Sequence, residues 1–141
     1  MSIYADTSFF VSLYLSDRHS SEAERRLAAR PFIWITPFHV AEWTHAIEQH
    51  LFRKEISRRE ADRLTHEFNQ HCTQGIWREV AFPDRAWEVC TQLANQYAAK
   101  LGVRTLDTLH VASALELKAE RFWAFDQQQE KLAAVVGLKI I

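Results

Sequence analysis

Four acidic residues, Asp6, Glu42, Asp107 and Asp126, stand where an apolar strand is expected to end or a helix to begin. Each is embedded in sequence that otherwise reads as core: Ile3-Tyr4-Ala5 before Asp6, Phe38 to Ile47 around Glu42, Leu106 to Leu117 around Asp107, and Phe122 to Phe125 before Asp126. A carboxylate taken out of water must be paired, hydrogen-bonded or neutralised. If the four meet at one place, protonation or a cation relieves their repulsion. Oxygen ligands with room for water suit Mg²⁺ or Mn²⁺, whereas zinc prefers His and Cys. Such a site binds phosphate oxygens, lowers the pKa of a bound water and stabilises both oxygens of an in-line displacement. That is the chemistry of phosphodiester hydrolysis.

Other readings compete residue by residue. Asp6 and Asp126 each precede an expected helix, so either is equally well a helix N-cap. Glu42 and Asp107 fall inside helices, where that role is closed to them. Leu106, Leu109, Val111, Ala112, Ala114, Leu115 and Leu117 leave the Asp107 helix little solvent-facing surface, and a buried helix does not select Asp for propensity. The alternative there is an ion pair with Arg104, the nearest cation in sequence. Glu42-Trp43-Thr44-His45 and Asp107-Thr108-Leu109-His110 also carry the carboxylate-x-x-His spacing of di-iron helical bundles. A non-haem iron protein is the rival this raises, opposed by strand-like runs at both ends of the chain. Outside that reading, His45 is a solvated or core-satisfied imidazole and His110 packs or orients a carboxylate.

The elements that must position these groups alternate in period. Ile3 to Ala5 reads as a buried strand and Thr7 to Leu15 as a helix. Ser21-Glu22-Ala23-Glu24 has capping-box spacing and opens a helix towards Arg30. Phe32 to Ile35 is a second strand, followed by Thr36-Pro37 as cap and first position of a helix to about Leu51. Ser57-Arg58-Arg59-Glu60 opens a helix to about Thr73, with Gly75 closing it. Trp77 to Ala81 is a third strand; Pro83-Asp84 opens a helix ending near Gly102, and Thr105 caps another to about Lys118. Phe122 to Phe125 is a fourth strand, Gln127 to Val136 a last helix closed by Gly137, and Leu138 to Ile141 a terminal strand. Strands alternating with helices imply a parallel sheet covered on both faces, with sites outside the carboxyl ends of its strands.

Composition narrows the class. The chain has 141 residues, 48% hydrophobic with five Trp and nine Phe, which suits one domain (residues 1–141) with a core of its own. Its formal net charge of −1 gives no global pull towards nucleic acid, so any such binding is local. Arg53, Lys54, Arg58, Arg59 and Arg63 are interleaved with acids and read as a solvated helical face, with a phosphate-tracking patch as the second option. Phe38, Trp43 and Phe52 on the Glu42 helix read as core or dimer interface before base-stacking platforms. Cys72 and Cys90 form no C-x-x-C pattern, which fits structural thiols in a reducing compartment, and no leader or membrane span is expected. The expected location is the cytoplasm.

Taken in order, these residues resemble the PIN-domain family, and most closely its VapC-type ribonuclease toxins of bacterial toxin–antitoxin pairs. Tyr4-Ala5-Asp6-Thr7-Ser8 is similar to the family's first strand with its acidic and hydroxyl residues. Thr36-Pro37 through Ala41-Glu42, Leu106-Asp107-Thr108-Leu109-His110-Val111-Ala112, and Phe125-Asp126 through Gly137-Leu138 are similar to the later motifs. Ala124 departs from a Thr or Ser common two residues before the last Asp, so Thr7 or Ser8 is the substitute source of a hydroxyl. The resemblance implies a three-layer α/β/α sandwich and metal-dependent endonucleolytic cleavage of RNA, with Asp6, Glu42, Asp107 and Asp126 holding one or two Mg²⁺ or Mn²⁺ ions and no histidine general base. Thr7, Ser8 and His110 would support them from behind. It further implies a homodimer and a small antitoxin whose C-terminal segment covers the acidic pocket. A non-catalytic RNA- or partner-binding module of the same fold is the alternative.

Overall fold

The structure, a computed structural model, describes residues 1–140. Four strands, β1 (Ser2–Ala5), β2 (Phe32–Ile35), β3 (Arg78–Glu79) and β4 (Arg121–Trp123), form one parallel sheet in the order β3-β2-β1-β4. Chain order carries the helices α1 (Thr7–Tyr14), α2 (Ser20–Leu27), α3 (Pro37–Phe52), α4 (Arg58–Thr73), α5 (Ala86–Leu93), α6 (Ala99–Leu101), α7 (Thr105–Glu116) and α8 (Gln127–Val135), with a π-helical turn at Ala94–Ala98 joining α5 to α6.

Strand alternation sorts the core into two layers, because successive side chains leave opposite faces of a pleated strand. Ile3 and Ala5 of β1, Ile33 and Ile35 of β2, and Trp123 of β4 pack with Phe9, Phe10, Trp43 and Phe68 from α1, α3 and α4. Tyr4, Phe122 and Ala124 face the other way, onto Leu93, Leu109, Ala112 and Leu132 from α5, α7 and α8. A three-layer α/β/α sandwich results. Each fully buried large side chain contributes about 1.5–3 kcal/mol, so both layers hold the sheet firmly.

Several element ends differ from their sequence reading. Helix α2 starts at Ser20, one residue before the expected cap Ser21, with no side-chain cap; the Ser20 hydroxyl faces the preceding loop, its one proton shared between the Ser12 and Leu15 carbonyls at 2.7 and 2.9 Å. Strand β3 pairs over two residues only, against Trp34 and Ile35 of β2. The expected cap Thr105 is itself the first helical residue of α7, which has no side-chain cap. Strand β4 ends at Trp123 and leaves Ala124 and Phe125 as a connection to Asp126. Of the expected last strand, Lys139 makes a parallel bridge to Arg121, and Ile141 lies outside the described residues. The caps at Thr36 and Ser57 are present, and Gly75, at φ +75°, closes α4 with paired bonds from Gly75 N to Cys72 O and Ile76 N to His71 O.

No helix among the described residues is long and apolar enough to cross a membrane. A parallel sheet at the centre, rather than four long helices, also removes the scaffold a di-iron site requires. His45, one half of that proposed spacing, is exposed on α3.

Candidate active site

The end of β1 is held from both sides. Asp6 N donates to Trp123 O at 2.8 Å, and His39 Nε2 lies 2.8 Å from the Ala5 carbonyl. His39 is fully buried at the third position of α3, and its Nδ1 accepts from the Thr36 N–H at 3.0 Å. Nε2 must therefore carry the proton and donate to Ala5. Burial is the main reason the His39 pKa falls to about 3, with the neighbouring His110 adding to it, so this bracket is neutral near pH 7. Asp6 then leaves the strand with its position set by β4 and α3 before any cation is considered.

Asp6 serves as the cap expected of it and still has capacity left over. Its Oδ2 accepts from Ser8 N at 3.1 Å and from the Ser8 hydroxyl at 2.6 Å, while Oδ1 accepts from Gln129 Nε2 at 3.1 Å. Burial pushes the Asp6 carboxyl up, but the imidazole of His110 and the bonds from Ser8 and Gln129 outweigh it and hold the group below the usual carboxylate range.

Glu42, one turn into α3, is reached through a relay that crosses the sheet. Thr7 Oγ1 donates to Glu42 Oε1 at 2.7 Å, and His110 Nε2 lies 2.5 Å from the same oxygen. His110 Nδ1 is 2.7 Å from the Tyr4 hydroxyl. Because an ionised Glu42 only accepts, Nε2 carries hydrogen and donates, which leaves Nδ1 as acceptor for the Tyr4 O–H when the ring is neutral. Phe38 stacks on the His110 ring with centroids 4.2 Å apart, fixing its plane. His110 thus orients Glu42 and approaches Asp6 Oδ1 at 3.6 Å. Thr7, Ser8 and His110 all touch these carboxylates.

Asp107 is different. It lies in the first turn of α7, partly exposed, and Arg104 Nε is 3.9 Å from its Oδ2. Arg104 is itself 87% exposed, so this is a surface pair of little strength and not the buried partner considered from sequence. Burial, then the charges of Asp6 and Asp126, raise the Asp107 pKa against the opposing pull of Arg104 and His110. Asp126 caps α8 through Oδ1, which accepts from Gln129 N at 2.8 Å.

Asp6, Glu42 and Asp107 line one cleft of about 360 Å³, with Ser8, Asp17 and His19 on its wall. A second cleft of about 670 Å³ meets it at Glu42 and Asp107 and carries Arg104 and Leu106. Together they make an open trough across the carboxyl ends of the strands. Asp126 is not on these walls; it is felt there through its charge on Asp107 and its bond to Gln129. A larger cleft, about 800 Å³, lies on another face of α3 between Ile35, Val40, Thr44 and Val80, and holds none of the four carboxylates.

Among the described residues, no three His, Cys, Asp or Glu side chains already stand as a ready-made set of metal ligands. The donor chemistry nevertheless fits a hard divalent cation. The carboxylates of Asp6, Glu42 and Asp107 and the hydroxyls of Thr7 and Ser8 give the trough a set of oxygen donors, the His110 imidazole is occupied by Tyr4 and Glu42, and burial together with like charge on Asp6 and Asp126 destabilises ionised Asp107.

Two residues that bond to the site, His39 and Gln129, escape a sequence reading. His39 occupies the third position after the cap Thr36, where a capping box ordinarily has Glu or Gln, and a His in that place was the available signal. Gln129 stands three residues after Asp126, so its spacing signals a capping box and nothing more. Its side chain instead bonds Asp6 and the Asp107 carbonyl.

The sequence matches the PIN domain family model over residues 3–135. No curated protein matches the chain. Among solved structures, VapC20 of Mycobacterium tuberculosis, described as a sarcin-ricin loop cleaving toxin, is similar with a TM-score of 0.71 at 16% identity, over 99% of this chain and 98% of that one. FitAcB of Neisseria gonorrhoeae is similar with a TM-score of 0.72 at 14% identity, over 99% and 96%. VapBC2 of Rickettsia felis, bound to a DNA fragment from its promoter, is similar with a TM-score of 0.69 at 13% identity, over 100% and 98%. At these identities the likeness is one of fold.

Proposed function

The chain belongs to the PIN-domain family, and from that premise we propose that it is a metal-dependent endoribonuclease, the toxin of a toxin–antitoxin pair. The observation that carries this reading is the convergence of Asp6, Glu42 and Asp107 on one open trough, with Asp126 coupled to Asp107 by charge. An open trough, unlike a closed pocket, admits a polymer. Arg104 and His19 on its walls supply the local cationic and aromatic groups that a phosphate backbone and its bases require.

Asp6, Asp107, Asp126 and Glu42 would hold one or two Mg²⁺ or Mn²⁺ ions. Bound there, the ion would supply charge neutralisation at the phosphate and a water of lowered pKa. The protein's own part is positional. Ser8 and Gln129 orient the two Asp6 oxygens, and Thr7 and His110 hold Glu42 Oε1, leaving Oε2 with no hydrogen-bond partner among the described residues. Phe38 and Tyr4 keep the His110 ring in register. Arg104, tethered only weakly, is free to meet a substrate phosphate. No separate hydroxyl is needed at Ala124, because Ser8 already serves Asp6 and Thr7 serves Glu42.

The partner in this reading is an antitoxin whose cationic segment lies in the same trough, and the active form is a homodimer acting in the cytoplasm. VapC20, described as cleaving the sarcin-ricin loop, and VapBC2, bound to promoter DNA, have this fold and support that choice. The test is cleavage of a structured RNA pool by wild-type protein and Asp107→Asn, with Mg²⁺, with Mn²⁺ and with EDTA. Wild type is expected to cut with either metal, EDTA to abolish cutting, and Asp107→Asn to lose more than the about 100-fold that losing an outer partner of a metal ligand costs. RNA bound without divalent ion and left uncut would favour a non-catalytic binding module.

A further inference from the structure

Gln129 ties three of the four acidic residues together without being one of them. It lies in the first turn of α8, 1% exposed. Its backbone N–H donates to Asp126 Oδ1 at 2.8 Å, and its Nε2 donates both to Asp6 Oδ1 at 3.1 Å and to the Asp107 carbonyl at 3.2 Å. A glutamine at this spacing from a cap ordinarily turns back to the cap's own N–H. Here the amide points away from its helix, to the end of β1 and the start of α7. The opposite amide orientation would set Oε1 against a carboxylate and a carbonyl, neither able to donate, so the assignment follows from chemistry.

Resting on the metal-dependent reading above, we propose that Gln129 is the positioning residue of this site, holding Asp6 and the first turn of α7 at a fixed separation so that carboxylates from three elements act as one set. Two features separate this from ordinary packing. The amide spends both of its N–H donors on groups belonging to different elements, 123 and 22 residues away in sequence. Its Oε1 is buried with no hydrogen-bond partner among the described residues. An unpaired buried acceptor is destabilising, and a leucine or methionine would fill the same volume without it. Gln at this position therefore serves the donors on Nε2 and leaves Oε1 free to accept from a bound water.

The experiment compares wild type, Gln129→Leu and Gln129→Met in Mn²⁺ titration calorimetry and in RNA cleavage, and follows the Gln129 side-chain amide of the wild type by NMR as Mg²⁺ is added. Both variants are expected to bind Mn²⁺ at least about tenfold more weakly, with kcat reduced by a similar factor and KM for RNA unchanged. The wild-type amide protons are expected to be protected from exchange and to shift on Mg²⁺ addition. Wild-type Mn²⁺ affinity in either folded variant overturns the proposal. Should neither variant fold, an amide resonance unmoved at saturating Mg²⁺ overturns it instead. A wild type that binds no divalent ion overturns the metal-dependent reading itself, a result distinct from intact binding in the variants.

Discussion

Asp6 and Asp107 line the same cleft, yet their surroundings act on the carboxyl group in opposite directions. On the Asp6 and Glu42 side each polar side chain has hydrogen-bond partners that fix it in place: Ser8 and Gln129 for Asp6, Thr7 and His110 for Glu42 Oε1, Tyr4 for His110, and Ala5 and Thr36 for His39. On the Asp107 side there is one exposed arginine at 3.9 Å, while burial and then two like charges raise the pKa. The first region is finished as it folds. The second keeps unrelieved like charge, so on the proposed metal-dependent reading the difference separates the part of the site that holds geometry from the part that would create affinity.

Breaking the finished half should have the largest effect on stability. His110→Leu removes the partner of both Tyr4 and Glu42 in a buried place, and is expected to cost about 2–4 kcal/mol in urea unfolding. A loss below about 0.5 kcal/mol would mean that the relay is not a stabilising network.

Acid should then distinguish the halves by sign. The His39 pKa is depressed from 6.5 to about 3, so between those values the unfolded chain binds a proton that the native chain does not. Stability is lost as pH falls through that window, at no more than about 1.4 kcal/mol per pH unit for this group. Asp6, held low, adds a loss of the same sign in the carboxylate range. The raised Asp107 acts the other way, because its native form binds the proton more readily and its penalty is relieved by acid. Thermal unfolding followed from pH 7 to pH 4 should show the net loss, and His39→Gln should flatten it. An unchanged slope in that variant would remove His39 from the account.

The smallest effect sharpens the comparison most. Without divalent ions, Asp107→Asn is expected to raise stability slightly, on the order of 1 kcal/mol or less given its solvent exposure. Mg²⁺ should raise the Tm of wild type and leave this variant unmoved. A destabilised Asp107→Asn without metal would show that Asp107 is satisfied after all.

Much of this molecule can be read from one sequence because the relevant physics is local. Ile3-Tyr4-Ala5 and Phe32 to Ile35 are short apolar runs whose alternation assigns each side chain to a face, and Thr36-Pro37 and Ser57 announce their helices by side-chain geometry alone. Asp6 and Asp126 are open to reading as caps or as site residues, and both do cap; a carboxylate has two oxygens and more than one acceptor direction, so capping leaves the second role open to each. Local rules failed where a residue's local role was vacated. Ser21 has the spacing of a cap, but its neighbour Ser20 is bound into a loop. Gln129 has the spacing of a capping box, but its amide is taken by Asp6.

Strand–helix alternation, family membership and the four carboxylates as candidate site residues are all legible in the chain alone. All of these depend on neighbours a few residues apart. Which carboxylate is satisfied and which is not depends on the folded molecule. Those partners lie far apart in the chain, 106 residues from Tyr4 to His110, 68 from His110 to Glu42 and 123 from Gln129 to Asp6. Hydrogen bonds act over about 3 Å, and contacts so distant in sequence exist only once the register of the sheet has brought their elements together.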